Sequence, residues 1–150
     1  MNAACLIVYA SMTGNTEEIA QQIGKGIIEA GSTVEIKDIF EINVEELNYY
    51  QGILMGAYTW GDGDLPDEFL AFYDEMDTLN LSGKTAGAFG SCDSAYEHWG
   101  GAVDILTEKL VELGADVVLE GLKINLEPTP VEIDQCIRFG KLFVEKSFLT

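Results

Sequence analysis

The chain has 150 residues, 47% of them hydrophobic, and its 26 acidic side chains outnumber its 8 basic ones to leave a formal net charge of −18. That length suits one domain with a sizeable core, and a mean hydropathy of +0.11 rules out a disordered, charge-dominated polymer. The charge disfavours a nucleic-acid ligand, whose phosphates need Lys and Arg to replace their counterions, and disfavours adsorption to an anionic membrane; basic protein partners are favoured instead.

The first element is the apolar run Ala4-Cys5-Leu6-Ile7-Val8, short and continuous as in a strand buried on both faces. It runs through Tyr9-Ala10 into Ser11-Met12-Thr13-Gly14-Asn15-Thr16, after which Ile19, Ile23 and Ile27 recur at helical spacing. Thr33-Val34-Glu35-Ile36-Lys37 alternates and predicts an edge strand with one wet face. Glu41 to Tyr50 is weak, with only Val44 and Leu47 in helical register. Gly52–Ala57 predicts a second buried strand. The stripe Phe69, Phe72, Tyr73, Met76 then predicts a helix, opened near Pro66 with Asp67 and Glu68 in its first turn. Thr85–Gly90 predicts a strand, followed by the helical stripe Ala102, Val103, Leu106, Leu110, Leu113 that closes at Gly114. Asp116-Val117-Val118-Leu119 predicts a last strand buried on both faces, and Ile133, Cys136, Ile137, Gly140, Val144 a last helix. Strand–helix alternation of this kind predicts one α/β domain over residues 1–150, a parallel sheet covered by helices on both faces.

In such a fold ligands bind beyond the carboxyl ends of the strands. Three loops lie there. Ser11–Thr16 places hydroxyls at the start of a helix whose first N–H groups have no partner, which is a cradle for an anion. It contains no Lys or Arg, unlike a nucleotide-hydrolysing loop, so it suits a small phosphate that is bound and left intact. The second loop, Tyr58-Thr59-Trp60-Gly61-Asp62-Gly63-Asp64, offers an indole; the third, Ser91-Cys92-Asp93-Ser94-Ala95-Tyr96-Glu97, offers a phenol. Two aromatics beside a phosphate cradle describe a slot for a flat ring joined to a phosphate. A receiver-type signalling domain would need acids after the first strand, and a low-molecular-weight phosphatase a Cys and Arg in one loop; neither pattern is present.

Cys5, Cys92 and Cys136 are an odd set without paired spacing, which points to a reducing compartment and away from a disulfide framework or a metal site. No apolar stretch approaches ~18 residues, and the chain opens directly on a core strand, so neither a membrane span nor a signal peptide is expected; the expected location is cytoplasmic. His98, the single histidine, reads as a solvated loop residue, and Cys92 as a small buried one.

With those loops in place the chain resembles the short-chain flavodoxins over essentially its full length. Ser11-Met12-Thr13-Gly14-Asn15-Thr16 is similar to the family's phosphate loop, Thr59-Trp60-Gly61-Asp62 to the loop that lays Trp on the inner flavin face, and Asp93-Ser94-Ala95-Tyr96-Glu97 to the loop whose Tyr stacks on the outer face. The resemblance implies a flavodoxin-like three-layer sandwich with a five-stranded parallel sheet of order 2-1-3-4-5. It implies non-covalently bound FMN, no substrate turnover of its own, and low-potential one-electron shuttling between redox proteins. A monomer is expected, served by a flavodoxin reductase or other donor and drained by an acceptor enzyme, both docking on an acidic face. The implied cofactor residues are Ser11, Met12, Thr13, Gly14, Asn15, Thr16, Tyr58, Thr59, Trp60, Gly61, Asp62, Ser91, Cys92, Asp93, Tyr96 and Gly100, with Asp93 and Gly100 lending backbone N–H groups to the pyrimidine edge. Gly61 would turn its peptide to offer a carbonyl to the half-reduced ring. The alternative is a flavodoxin-like FMN-dependent oxidoreductase such as a quinone reductase, for whose extra loops this chain has little room.

Overall fold

A computed structural model describes residues 3–148. The elements follow the chain as β1 (Cys5–Ala10), α1 (Asn15–Glu29), β2 (Val34–Asp38), β3 (Gly52–Ala57), α2 (Asp67–Glu75), β4 (Thr85–Cys92), α3 (Gly101–Glu112), β5 (Asp116–Val117), β6 (Leu122–Asn125) and α4 (Pro130–Phe148). The named strands pair in parallel, in the order β2-β1-β3-β4-β5, with β6 also on β4. The 2-1-3-4-5 order implied by the resemblance is therefore the one observed.

The two cores follow from the two-residue period of a strand. Leu6, Val8 and Ala10 join Ile53 and Met55 against Phe69 and Phe72 of α2 and Val103, Leu106 and Leu110 of α3. Cys5, Ile7 and Tyr9 face the other way, with Leu54 and Phe89, onto Ile19, Ile23 and Ile27 of α1 and Cys136, Phe143 and Val144 of α4. β1 and β3 are buried along their whole length, as continuous apolar runs predict, and β2 is half-buried at the sheet edge.

Three local expectations change. The weak segment before β3 forms two 3₁₀ turns, Ile39–Glu41 and Val44–Tyr49, each opened by a glutamate that reaches back to the N–H preceding the turn, Glu41 Oε1 accepting from Asp38 N and Glu46 Oε2 from Asn43 N. β4 runs two residues past the predicted Gly90, so Ser91 and Cys92 are strand residues. The last strand is not one run buried on both faces: Asp116 is exposed and Val117 half-buried. It breaks after Val117 and resumes as β6. From Ala86 to Phe89 β4 advances three residues while the facing chain advances five, from Val117 to Leu122, so two extra residues bulge out. Gly121 sits in that bulge, where a Cβ would meet a methyl of Val103 at 2.6 Å.

Because the strands are parallel, the segments after β1, β3, β4 and β6 all emerge at one edge of the sheet.

Candidate functional site

The loop after β1 and the head of α1 form the first wall. Gly14 caps α1 with φ +92, and its N–H donates to Ser11 Oγ at 3.1 Å, which leaves the Ser11 O–H free to donate outward. Met12 and Thr13 are exposed; Asn15 begins the helix. Thr16, in the first turn, is 1% exposed, and its hydroxyl has no hydrogen-bond partner. A buried hydroxyl without a partner is costly. Here it lies among helix-head N–H groups that also lack intrahelical partners, which is the donor set an anion would satisfy. The charge nearby is negative: burial, and then Glu17, push the Tyr9 hydroxyl up to about 12.

The second wall is the loop after β3. Trp60 and Asp64 exchange backbone hydrogen bonds of 2.7 and 2.9 Å, closing a tight tip of Gly61, Asp62 and Gly63. Gly61 has φ +56 and Gly63 φ +107, positions that side-chain-bearing residues resist. The Trp60 indole is 51% exposed. Tyr58 meets it edge-on, with centroids 6.5 Å apart at 76°, and donates its hydroxyl to Glu68 at 2.6 Å. Burial, then that bond, raise the Tyr58 hydroxyl well above its usual range. Tyr58 thus supports Trp60 from behind. Thr59 is likewise inward: its N–H donates to Ser91 O and its Oγ1 accepts from Ala102 N at the head of α3.

The third wall follows β4. Asp93 Oδ1 accepts from Ala95 N at 2.9 Å and Asp93 O from Tyr96 N at 3.2 Å, and this turn presents Tyr96, 46% exposed. Gly100 caps α3 at φ +77, with the stem of Lys123 packed where a Cβ would go. Ser91 and Cys92 do not face the gap. The Ser91 hydroxyl donates to Leu126 O and the Cys92 thiol to Gly90 O, and burial pushes that thiol up to about 11, in its inert form.

One contact the sequence reading missed ties the two aromatic loops together. Asp62 Oδ1 accepts from His98 N at 2.9 Å, and Oδ2 lies 3.4 Å from His98 Nδ1. The His98 N–H bond, more than any other cause, holds the Asp62 carboxyl below its ordinary range. Glu97 brings a third ligand-capable atom within 4.8 Å, all three side chains exposed. Trp99 was also missed, though a Trp in a predicted loop is the signal that singled out Trp60. It is 37% exposed, with the Lys123 ammonium 6.0 Å from its ring centroid. Asn125 and Leu126, bonded to the third wall, carried no sequence signal.

A protein-family model described as flavodoxin matches residues 7–140. The chain is 47% identical over 146 residues to a probable flavodoxin 2 of Bacillus subtilis, covering 97% of each, and 40% identical over 143 residues to a flavodoxin of Nitratidesulfovibrio vulgaris, covering 93% of this chain and 97% of the other. Among solved structures, oxidised flavodoxin 1 from Bacillus cereus superposes with a TM-score of 0.91 at 54% identity, covering 94% of this chain and 97% of that one.

Proposed function

The chain belongs to the flavodoxin family, and from that premise we infer that it carries electrons one at a time between redox proteins through a non-covalently bound FMN. These matches do not favour the alternative of an oxidoreductase with a substrate of its own. The observation that carries the site assignment is the buried, unpartnered Thr16 hydroxyl at the head of α1, the fit expected where a phosphate is to be held.

On this reading Ser11, Thr13 and Thr16 donate hydroxyls and the backbone of Met12 and Asn15 donates N–H groups to the phosphate, while Gly14, whose N–H is taken by Ser11 Oγ, shapes the turn. FMN supplies the one-electron chemistry on its ring. Trp60 and Tyr96 cover the ring's two faces, stacking that adds about 0.5–1.5 kcal/mol each beyond area burial. Asp93 and Gly100 present backbone N–H groups to the ring's polar edge. Tyr58, Thr59, Ser91 and Cys92 serve from behind, by holding the loops. Asp62, Asp64 and Glu97 keep the neighbourhood negative, which disfavours added negative charge and lowers the potential.

The same reading makes the chain a carrier without turnover of its own, one domain, and a monomer. A single sheet accounting for every described strand supports one domain. Basic redox partners would dock on the acidic edge around Trp60. Among the described residues no helix is long and apolar enough to cross a membrane, and the three cysteines are free thiols, which supports a reducing, cytoplasmic setting.

The test is the absorbance spectrum of the purified protein during stepwise reduction, with chromatography of the released cofactor. A yellow protein releasing FMN and reduced in two one-electron steps is the expected result. FAD, or no flavin after reconstitution, would overturn the assignment, and turnover of NADPH with a quinone, without added reductase, would overturn the carrier role.

A further inference from the structure

We propose that Asn125 and Leu126, which lie outside all three binding loops, set the position of the loop that carries Asp93 and Tyr96. Leu126 is the one non-glycine residue with positive φ among the described residues, at +59. Leucine is not among the residues that visit this region readily. Nor does burial of its side chain offset the strain, because that side chain is 50% exposed. Such a conformation persists where the surroundings over-determine it.

What determines it is on the other loop. Leu126 N donates to Cys92 O at 2.7 Å, and the Ser91 hydroxyl donates to Leu126 O at 3.2 Å. One residue earlier, Asn125 Oδ1 accepts from Ser94 N at 3.0 Å. The three bonds end on Ser91, Cys92 and Ser94 and so straddle Asp93. β6 leaves β4 at the pair Cys92↔Asn125, so the left-handed turn at Leu126 comes where the ladder stops. A right-handed or extended Leu126 would swing its carbonyl away from Ser91 and strand a hydroxyl on a residue only 7% exposed. The strain at Leu126 is thus the cost of holding the start of the Tyr96 loop against the sheet edge.

The effect on the flavin rests on the FMN reading; the effect on the loop does not, and the two are tested apart. In the apoprotein, amide hydrogen exchange reads the loop directly: Asn125→Ala should speed exchange at Ser94 N–H by roughly three- to tenfold, the loss of one neutral hydrogen bond. In the holoprotein, Leu126→Val, whose β-branch resists positive φ, should weaken FMN binding, alter the visible circular dichroism of the flavin and shift its midpoint potentials. Leu126→Gly should rescue all three, because glycine keeps the backbone and discards the penalty. Unchanged Ser94 exchange in Asn125→Ala overturns the proposal, and so does a glycine variant that behaves like the valine one, since the side chain and not the backbone would then matter. Should Leu126→Val fail to fold, Asn125→Ala carries the same holoprotein readouts and decides alone. Absence of FMN binding by the wild type would overturn the FMN reading, and the apoprotein exchange would still decide the loop.

Discussion

Asp62 and His98, 36 residues apart in sequence, fasten the Trp60 loop to the Tyr96 loop: the His98 N–H donates to Asp62 Oδ1 at 2.9 Å and the imidazole lies 3.4 Å from Oδ2. The two faces of the proposed flavin slot are therefore held by one carboxylate. Asp62→Ala should weaken FMN binding by separating the loops, whereas Asp62→Asn, which keeps an acceptor for His98 N–H, should retain most of the affinity. The pH dependence has a definite sign. A carboxyl whose folded pKa is depressed adds stability that is present above its unfolded value of about 3.9 and is lost as pH falls through the folded value. The urea midpoint should thus fall less steeply with acid in Asp62→Asn than in the wild type, measured below pH 5.

Thr16→Val separates binding from folding. The hydroxyl is buried without a partner, so removing it at nearly constant shape should leave the apoprotein as stable as the wild type or more so. The same change should weaken FMN binding by about 1.5–3 kcal/mol, the contribution of a hydrogen bond to a charged group, or roughly 10- to 150-fold in Kd. Urea titration of the apoprotein and flavin-fluorescence titration read the two effects. An unchanged Kd would place the phosphate elsewhere.

Gly61 already stands at φ +56. Gly61→Val should therefore destabilise the Trp60 hairpin and block a turn of its peptide. The expected redox signature is a narrower gap between the two one-electron potentials, with a smaller effect on oxidised FMN affinity. A titration with the wild-type gap would show that no peptide turn operates here.

Asp64 and Asp67 are exposed, and among the described residues neither side chain is hydrogen-bonded. Glu68, by contrast, accepts from Tyr58, and Asp62 from His98. A test of docking by charge belongs on the first pair, because neutralising the second would also loosen the aromatic loops. Asp64→Asn with Asp67→Asn should slow association with a basic reductase and flatten its salt dependence in stopped-flow experiments. The potential of the second electron should rise by tens of millivolts, a one-electron couple moving about 59 mV for each 1.4 kcal/mol. Rates independent of both salt and these charges would reduce the acidic edge to a means of solubility.

What the sequence determined by itself was whatever its local period encodes. Two-residue and 3.6-residue spacings of apolar side chains marked the strands and helices, and β1, α1, β3 and α3 stand where those spacings put them. Parallel strands then carry Ser11–Thr16, Trp60 and Tyr96 to one edge whatever the packing details, so the three loops of the candidate site were legible before any coordinate. The tertiary structure decided the rest, because it depends on partners distant along the chain, where no local period reaches. Asn125 meets Ser94 across 31 residues and Ser91 meets Leu126 across 35; nothing in the sequence marks a leucine for a left-handed backbone. The break between β5 and β6 was hidden for the same reason, since Val118 and Leu119 continue the apolar run although the ladder on β4 stops at Val117 and resumes at Leu122. The roles of the acids were decided there as well: composition counts Asp62, Asp64, Asp67 and Glu68 alike, and only folding turns two of them into fasteners and leaves two as free charge.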